Sequence, residues 1–215
     1  MFVKTKMTAN PFIISPDQTI PDAHEIMQQY GVKRLLVVKN GKLVGVVSKE
    51  DIAHASPSKA TTFSVGELTY LLAKTKISKV MVKNPITISP DALLEEAATL
   101  MRDHDIGFLP VMKNDKLVGI ITQSDILDSF IDILGFREPG TRFTVEADDE
   151  PGMMSKATGI ISEHGANITH MAVYRGENGK STMVIGINSL NVDEIESAIE
   201  AAGFRVLYKL QNKNK

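Results

Sequence analysis

Two short stretches of the chain carry residue types that could do chemistry. Gly45-Val46-Val47-Ser48-Lys49-Glu50-Asp51 and Gly119-Ile120-Ile121-Thr122-Gln123-Ser124-Asp125 each hold a glycine, then a hydroxyl three residues on, then an aspartate three further. A carboxylate one turn into a helix, beside a hydroxyl at its amino end, can accept both hydrogen bonds of a ribose diol. Such charge-assisted bonds are stronger than neutral ones, and the backbone N–H groups at a helix start favour phosphate. The same spacing also fits a capping box, in which hydroxyl and acid only satisfy the helix terminus. Both readings stand at this point. A cap does not need Gly45 or Gly119, and a glycine there lets another group approach the backbone closely.

The elements that must position these residues are duplicated. MTANPFIISPD from Met7 matches MVKNPITISPD from Met81, and the 74-residue offset holds without a gap through Asp51 and Asp125. Fixed-offset similarity of this length is a tandem duplication. In each copy a short strand (Phe12-Ile13-Ile14; Ile86-Thr87-Ile88) runs into Ser-Pro-Asp, where serine can cap a helix and proline suits its first turn. Leu94, Ala97, Ala98 and Met101 then lie on one helical face. Two apolar runs follow, joined at Asn40-Gly41 or Asn114-Asp115, and the former pair is a hairpin signal. A new helix starts at Ser48 or Thr122. Each copy therefore reads as βαββα. Between the copies, a Ser/Thr-rich linker from Ala55 to Ser64 leads to a helix over Val65–Lys74, with Leu68, Leu71 and Leu72 on one face.

Composition changes at 135–140, Gly-Phe-Arg-Glu-Pro-Gly. Beyond it a strand is expected at Arg142–Ala147 and a helix at Pro151–His164 with proline in its first turn. A hairpin of Asn167–Arg175 and Ser181–Asn188 turns about Glu177-Asn178-Gly179. A helix at Val192–Ala202 and a strand at Arg205–Leu210 complete a βαββαβ order, which suggests an open antiparallel sheet with both helices on one face. Gly179-Lys180-Ser181 is read as part of the hairpin, because Tyr174 stands where a phosphate loop needs its first glycine.

The fold class is thus mixed α/β (α+β), with domains at 1–64, 65–134 and 141–215 and a linker at 135–140. Lys and Arg number 24 against 26 Asp and Glu, a balance with no footprint for nucleic acid or an anionic membrane. With no cysteine, thiolate metal sites and thiol nucleophiles are excluded. MFVKTKMTANP lacks the apolar core of a signal peptide, and the apolar runs fall short of the roughly 20 residues of a membrane span, so a cytoplasmic protein is expected. The histidines, at 24, 54, 104, 164 and 170, show no metal-ligand spacing, and no metal is expected. Nothing supplies nucleophile and base together, so no catalytic residue is assigned.

The segment from about Lys4 to Phe130 resembles a tandem pair of CBS domains, a Bateman module. The resemblance rests on NPITISPD, the FLPV run and the duplicated Gly-hydrophobic-hydrophobic-Ser/Thr-x-x-Asp. It implies an adenosine-containing ligand, either an adenine nucleotide (AMP, ADP or ATP) or another adenosyl compound. Ser48, Asp51, Thr122 and Asp125 would hold ribose or phosphate, beside Gly45 and Gly119, while Ile13 and Thr87 would line the adenine pocket. Lys33 and Arg34 stand where the second copy has Gly107 and Phe108. With both lying inward, Lys33 and Arg34 would give the first copy a phosphate preference, and the second copy would favour a less charged group.

Val145-x-x-x-Asp149-x-Pro151-Gly152 and Gly165-Ala166-Asn167-Ile168 are similar to the ACT domain family, over roughly 141–210. That resemblance implies a ferredoxin-like sheet and makes Asp149, Gly165 and Asn167 candidate contacts for a small amino-acid-like ligand. Asp148, Asp149 and Glu150 would repel a ligand carboxylate there. The combination most resembles AcuB-type acetoin utilisation proteins. It implies a regulatory sensor that acts on a partner enzyme and forms a homodimer. The alternative is an oligomerisation scaffold with vestigial clefts.

Overall fold

The computed structural model describes residues 1–55, 70, 72–176 and 179–213. The expected helix at Val65–Lys74 lies mostly outside them, although Tyr70 and residues 72–74 are helical, and the turn residues Glu177 and Asn178 lie outside them too. The chain divides into two compact units, Met1–Ile126 and Leu127–Lys215. The division falls inside a helix, ahead of the linker expected at 135–140.

The first unit holds two sheets. One has the order β2-β3-β4-β5, with β2 at Ile13–Ile14, β3 at Arg34–Lys39, β4 at Lys42–Ser48 and β5 at Val82–Lys83. The other is β1-β7-β6, with β1 at Thr8–Ala9, β6 at Phe108–Lys113 and β7 at Lys116–Thr122. The outermost strands are exchanged. β5, at the head of the second repeat, pairs with β4 of the first, and β1 pairs with β7 of the second. The cores follow the same exchange. Val3 is buried with Leu94, Met101 and Leu109, whereas Ile77, at the start of the short helix α3 (Ile77–Val80), is buried with Ile14, Leu35 and Val47. A cut near residue 64 therefore separates each sheet from one of its own strands.

Helix α1 (Ile20–Gln29) buries Ala23 and Met27, and α4 (Leu94–Asp103) buries Leu94, Ala97 and Met101 of its expected face. The Ser-Pro-Asp serines do not cap them. Ser15 and Ser89 instead accept from the backbone N–H of Asp17 and Asp91, closing a turn. α1 starts later because Thr19 and Asp22 form a reciprocal capping box, with Pro21 inside the first turn. The offset residue of Thr19 is Leu93, and it offers α4 no side-chain cap. Both hairpins turn through positive φ, at Asn40 and Gly41 and at Asn114 and Asp115, residues that tolerate the left-handed region.

A strand was expected at Ile86–Ile88, yet only Ile88 bridges, to Val111. The cause is Pro110. In the first repeat Leu36 donates its N–H to the Phe12 carbonyl, and the offset residue Pro110 has no N–H to give.

In the second unit, β8 (Gly140–Asp148), α6 (Met153–Glu163), β9 (Ile168–Arg175), β10 (Lys180–Ile187), α7 (Asp193–Ala201) and β11 (Arg205–Asn212) give the expected βαββαβ order. The sheet is antiparallel, in the order β11-β8-β10-β9. Phe143, Val145, Met183 and Ile185 alternate onto the face that buries Ala157 and Ile161 of α6 and Ile195 and Ile199 of α7. Both helices therefore cover one face. Pro151 sits just outside α6, because Gly152 takes the N-cap position at φ 92°.

Candidate functional site

The opening motifs sit at the junction of β4 with α2 (Lys49–Ala55) and of β7 with α5 (Gln123–Ile133). In the first, the Ser48 N–H and hydroxyl both donate to Asp51 Oδ2 at 2.7 Å, and the Asp51 N–H donates to Ser48 Oγ at 3.1 Å. In the second, Thr122 makes the same pair of bonds to Asp125 Oδ2 at 2.7 Å, with the return bond at 3.4 Å. Both capping boxes are therefore formed, and they use Oδ2 of each aspartate.

Gly45 and Gly119 have a different role from the expected ligand contact. A Cβ on Gly45 would lie 2.8 Å from Met81 Sδ and from the Val82 carbonyl oxygen, and one on Gly119 would lie 2.8 Å from Met7 Sδ. The close approach that glycine permits is taken by the exchanged strands β5 and β1.

A cavity of about 500 Å³ opens beside the first motif. Arg34, Ser48, Glu50 and Asp51 of the first repeat contribute to its lining. Ile86, His104, Asp105, Ile106 and Phe108 of the second repeat lie opposite. The first motif is thus completed by residues of the second repeat. Arg34 reaches across: its guanidinium lies 5.1 Å from the Phe108 ring centre, a cation–π arrangement. Gly107 makes room for it, since a Cβ there would meet Arg34 Nη2 at 2.8 Å. The Glu50 carboxyl is held below its ordinary range first by a hydrogen bond to its own backbone N–H. The Ser48 hydroxyl and the charges of Arg34 and Lys33 add to this, against partial desolvation.

The expected adenine-pocket residues Ile13 and Thr87 are both exposed, and neither lines this cavity. Ile86, next to Thr87, does. At the offset positions of Ile86 and His104 stand Phe12 and Tyr30, whose rings stack 4.4 Å apart. The contribution of 104–108 was not read from the sequence. The offset relates equal positions in the two copies, and the exchange that brings unequal positions together leaves no mark in it.

In the second unit, Asp149, Gly165 and Asn167 are not brought to one place. Asp149 pairs with Arg175 at 3.3 Å, and Asp148 with Lys180 at 2.6 Å. The acid cluster is therefore met by hairpin cations, and the Lys180 pKa is raised by its bond to Asp148 and by that charge. Gly165 ends α6 at φ 72° with nothing near its Cβ direction. Asn167 lines an open depression with Ser155, Thr158 and Ser162. No group of three or more His, Asp or Glu able to hold a metal occurs among the described residues.

Comparison with known proteins bears on both units. The CBS domain family model matches residues 3–58 and 77–132, and the ACT domain model matches 141–204. The chain is similar to the crystal structure of an acetoin utilization protein, AcuB, from Vibrio cholerae. Identity is 33% and TM-score 0.53, over 64% of this chain and 96% of that one. It is similar to CBSX2 in complex with AMP, at 29% identity and TM-score 0.51 over 61% of this chain and 97% of that one. The CBS domain pair of MJ0100, in complex with 5′-methylthioadenosine and S-adenosyl-L-methionine, matches at 27% identity and TM-score 0.51. That match covers 60% of this chain and 95% of the other.

Proposed function

The chain belongs to the CBS-domain family and carries a C-terminal ACT domain, and on that premise we propose a non-catalytic sensor that binds an adenosyl ligand in the Asp51 cleft. The observation that carries this is the cavity of about 500 Å³ with Ser48 and Asp51 on one side and Ile86, Ile106 and Phe108 on the other. Such a volume is within the range of small-molecule sites. The carboxylate suits a ribose diol, the apolar wall suits a purine face, and the complexes of related CBS pairs support the ligand class. Asp125 and Thr122 take the same role in the cleft of the second motif. In the Asp51 capping box Oδ2 is engaged, so the ligand is read by Oδ1.

Binding regulates by favouring one arrangement of the protein over another, to the extent that affinity differs between them. The protein acts as a homodimer in the cytoplasm, and a partner enzyme reads the change. An enzyme of acetoin metabolism is the first to test, given the name of the Vibrio cholerae relative. An amino-acid-like ligand of the ACT domain would contact Asn167. No helix among the described residues is long and apolar enough to cross a membrane.

A scaffold with vestigial clefts is the second reading, favoured by the complete capping boxes at both motifs. Thermal melts separate the two. A ligand at 100 times its dissociation constant adds about 2.7 kcal/mol to stability. At roughly 2–4 °C per kcal/mol for a chain of this size, the melt should rise by several degrees with one of AMP, ADP, ATP, S-adenosylmethionine or 5′-methylthioadenosine. A flat response across the panel would establish the scaffold.

A further inference from the structure

The charge around the Asp51 cleft does not suit a phosphate-rich ligand. Among the described residues three carboxylates line it, those of Glu50, Asp51 and Asp105, against the one guanidinium of Arg34. Arg34 is moreover engaged, lying over the Phe108 ring and against the field of Glu50. Lys33, the other cation expected to favour phosphate, is not part of the lining.

The repeat supplies an internal control. The offset positions of Glu50 and Asp105 are Ser124 and Gly31, both uncharged, and the offset position of Gly107 is Lys33. Acid is thus concentrated around one motif, and the corresponding positions around the other carry hydroxyl, glycine and lysine. Because the Asp51 cleft is built from both repeats, its lining is free to differ in charge from the offset positions while the Ser/Thr-x-x-Asp frame stays the same.

Resting on the adenosyl reading above, we propose that the Asp51 cleft selects an adenosyl ligand with a neutral or cationic 5′ substituent, a thioether or a sulfonium, and rejects polyphosphate. Glu50 and Asp105 are the specificity-determining residues. A ribose needs only Asp51, so the two further acids face whatever the 5′ carbon carries. A sulfonium is attracted to them. A triphosphate meets like charge from two exposed carboxylates, whose combined repulsion changes affinity by about tenfold.

The test is calorimetric titration of the full chain in an Asp125→Asn background, so that the Asp51 cleft reports. S-adenosylmethionine, 5′-methylthioadenosine and ATP are compared in that protein and after adding Glu50→Gln and Asp105→Asn. Asparagine is suited to position 105, whose φ is 52°, and a melt of each variant checks its fold. The expected result is S-adenosylmethionine at least about tenfold tighter than ATP. The double substitution should move that ratio at least fivefold toward ATP, with the neutral thioether changed less than either. ATP binding as tightly as the sulfonium, or a ratio unmoved by the substitutions, overturns the charge selection and leaves the adenosyl reading standing. Binding of none of the three overturns both.

Discussion

Around the two motifs the offset positions hold Ile86 and Phe12, His104 and Tyr30, Asp105 and Gly31, Gly107 and Lys33. On the Asp51 side these residues leave a cavity with an acidic rim. At the offset positions Phe12 and Tyr30, two aromatic rings stack against each other. The frame beneath is nearly identical, down to the 2.7 Å bonds of the two capping boxes. Duplication therefore preserved what holds a helix start against a strand, and let the surroundings change. The Asp51 cleft draws on parts of both copies, so its lining could change while the shared frame did not.

Breaking the shared frame should give the largest effect and should act alike on both sides. Gly45→Val and Gly119→Val each place a side chain where β5 or β1 now runs, with a Cβ 2.8 Å from a methionine sulfur. Each should lose about 1–3 kcal/mol, the usual cost of overpacking, in urea unfolding followed by circular dichroism. If one is tolerated and the other is not, the exchange is not the symmetric device described.

A smaller effect should fall on one repeat alone. Thr19 caps α1 together with Asp22, whereas the offset residues are Leu93 and Glu96. Asp22→Ala should cost about 0.5–2 kcal/mol at neutral pH, and Glu96→Ala only about 0.3–1 kcal/mol through the helix dipole. The backbone N–H and then the hydroxyl of Thr19 lower the pKa of Asp22 below 3.8. Its contribution is therefore complete above the unfolded value and is lost as pH falls through the folded one. Denaturant midpoints of parent and Asp22→Ala should differ constantly above about pH 5 and converge in acid. A gap that persists at pH 2 would mean that packing, not the charged cap, is what the substitution removed.

Much of this was legible in the residues. Asn40-Gly41 announced its hairpin, the period of α4 announced its buried face, and Ser48 and Asp51 announced a helix start. The failures have identifiable causes. Ser15 and Thr19 both offered caps, and Thr19 prevailed because Asp22 completes its box three residues on. Pro110 stood in plain view, but its effect depends on the backbone partner that the missing N–H would have served. Gly45 was rightly read as a place of close approach, although the group that approaches is the protein's own strand. The acids 148–150 could be seen in sequence, while Lys180 and Arg175 reach Asp148 and Asp149 only across the folded hairpin. Arg34 was expected near a cleft, yet the acids that offset it come from both repeats.

The central claim is that Asp51 reads a ligand as well as capping a helix, and substitution by asparagine separates the two roles. An asparagine amide oxygen at position 51 can still accept from the Ser48 N–H in the capping box, but asparagine replaces the acceptor-only carboxylate that a ribose diol needs. Titration with S-adenosylmethionine should show Asp51→Asn weakened by at least about tenfold. The ligand-free melt should be unmoved, and Asp125→Asn should keep the affinity of the Asp51 cleft. An Asp51→Asn protein that binds the ligand as tightly as the parent would contradict the account and leave Asp51 a helix cap alone.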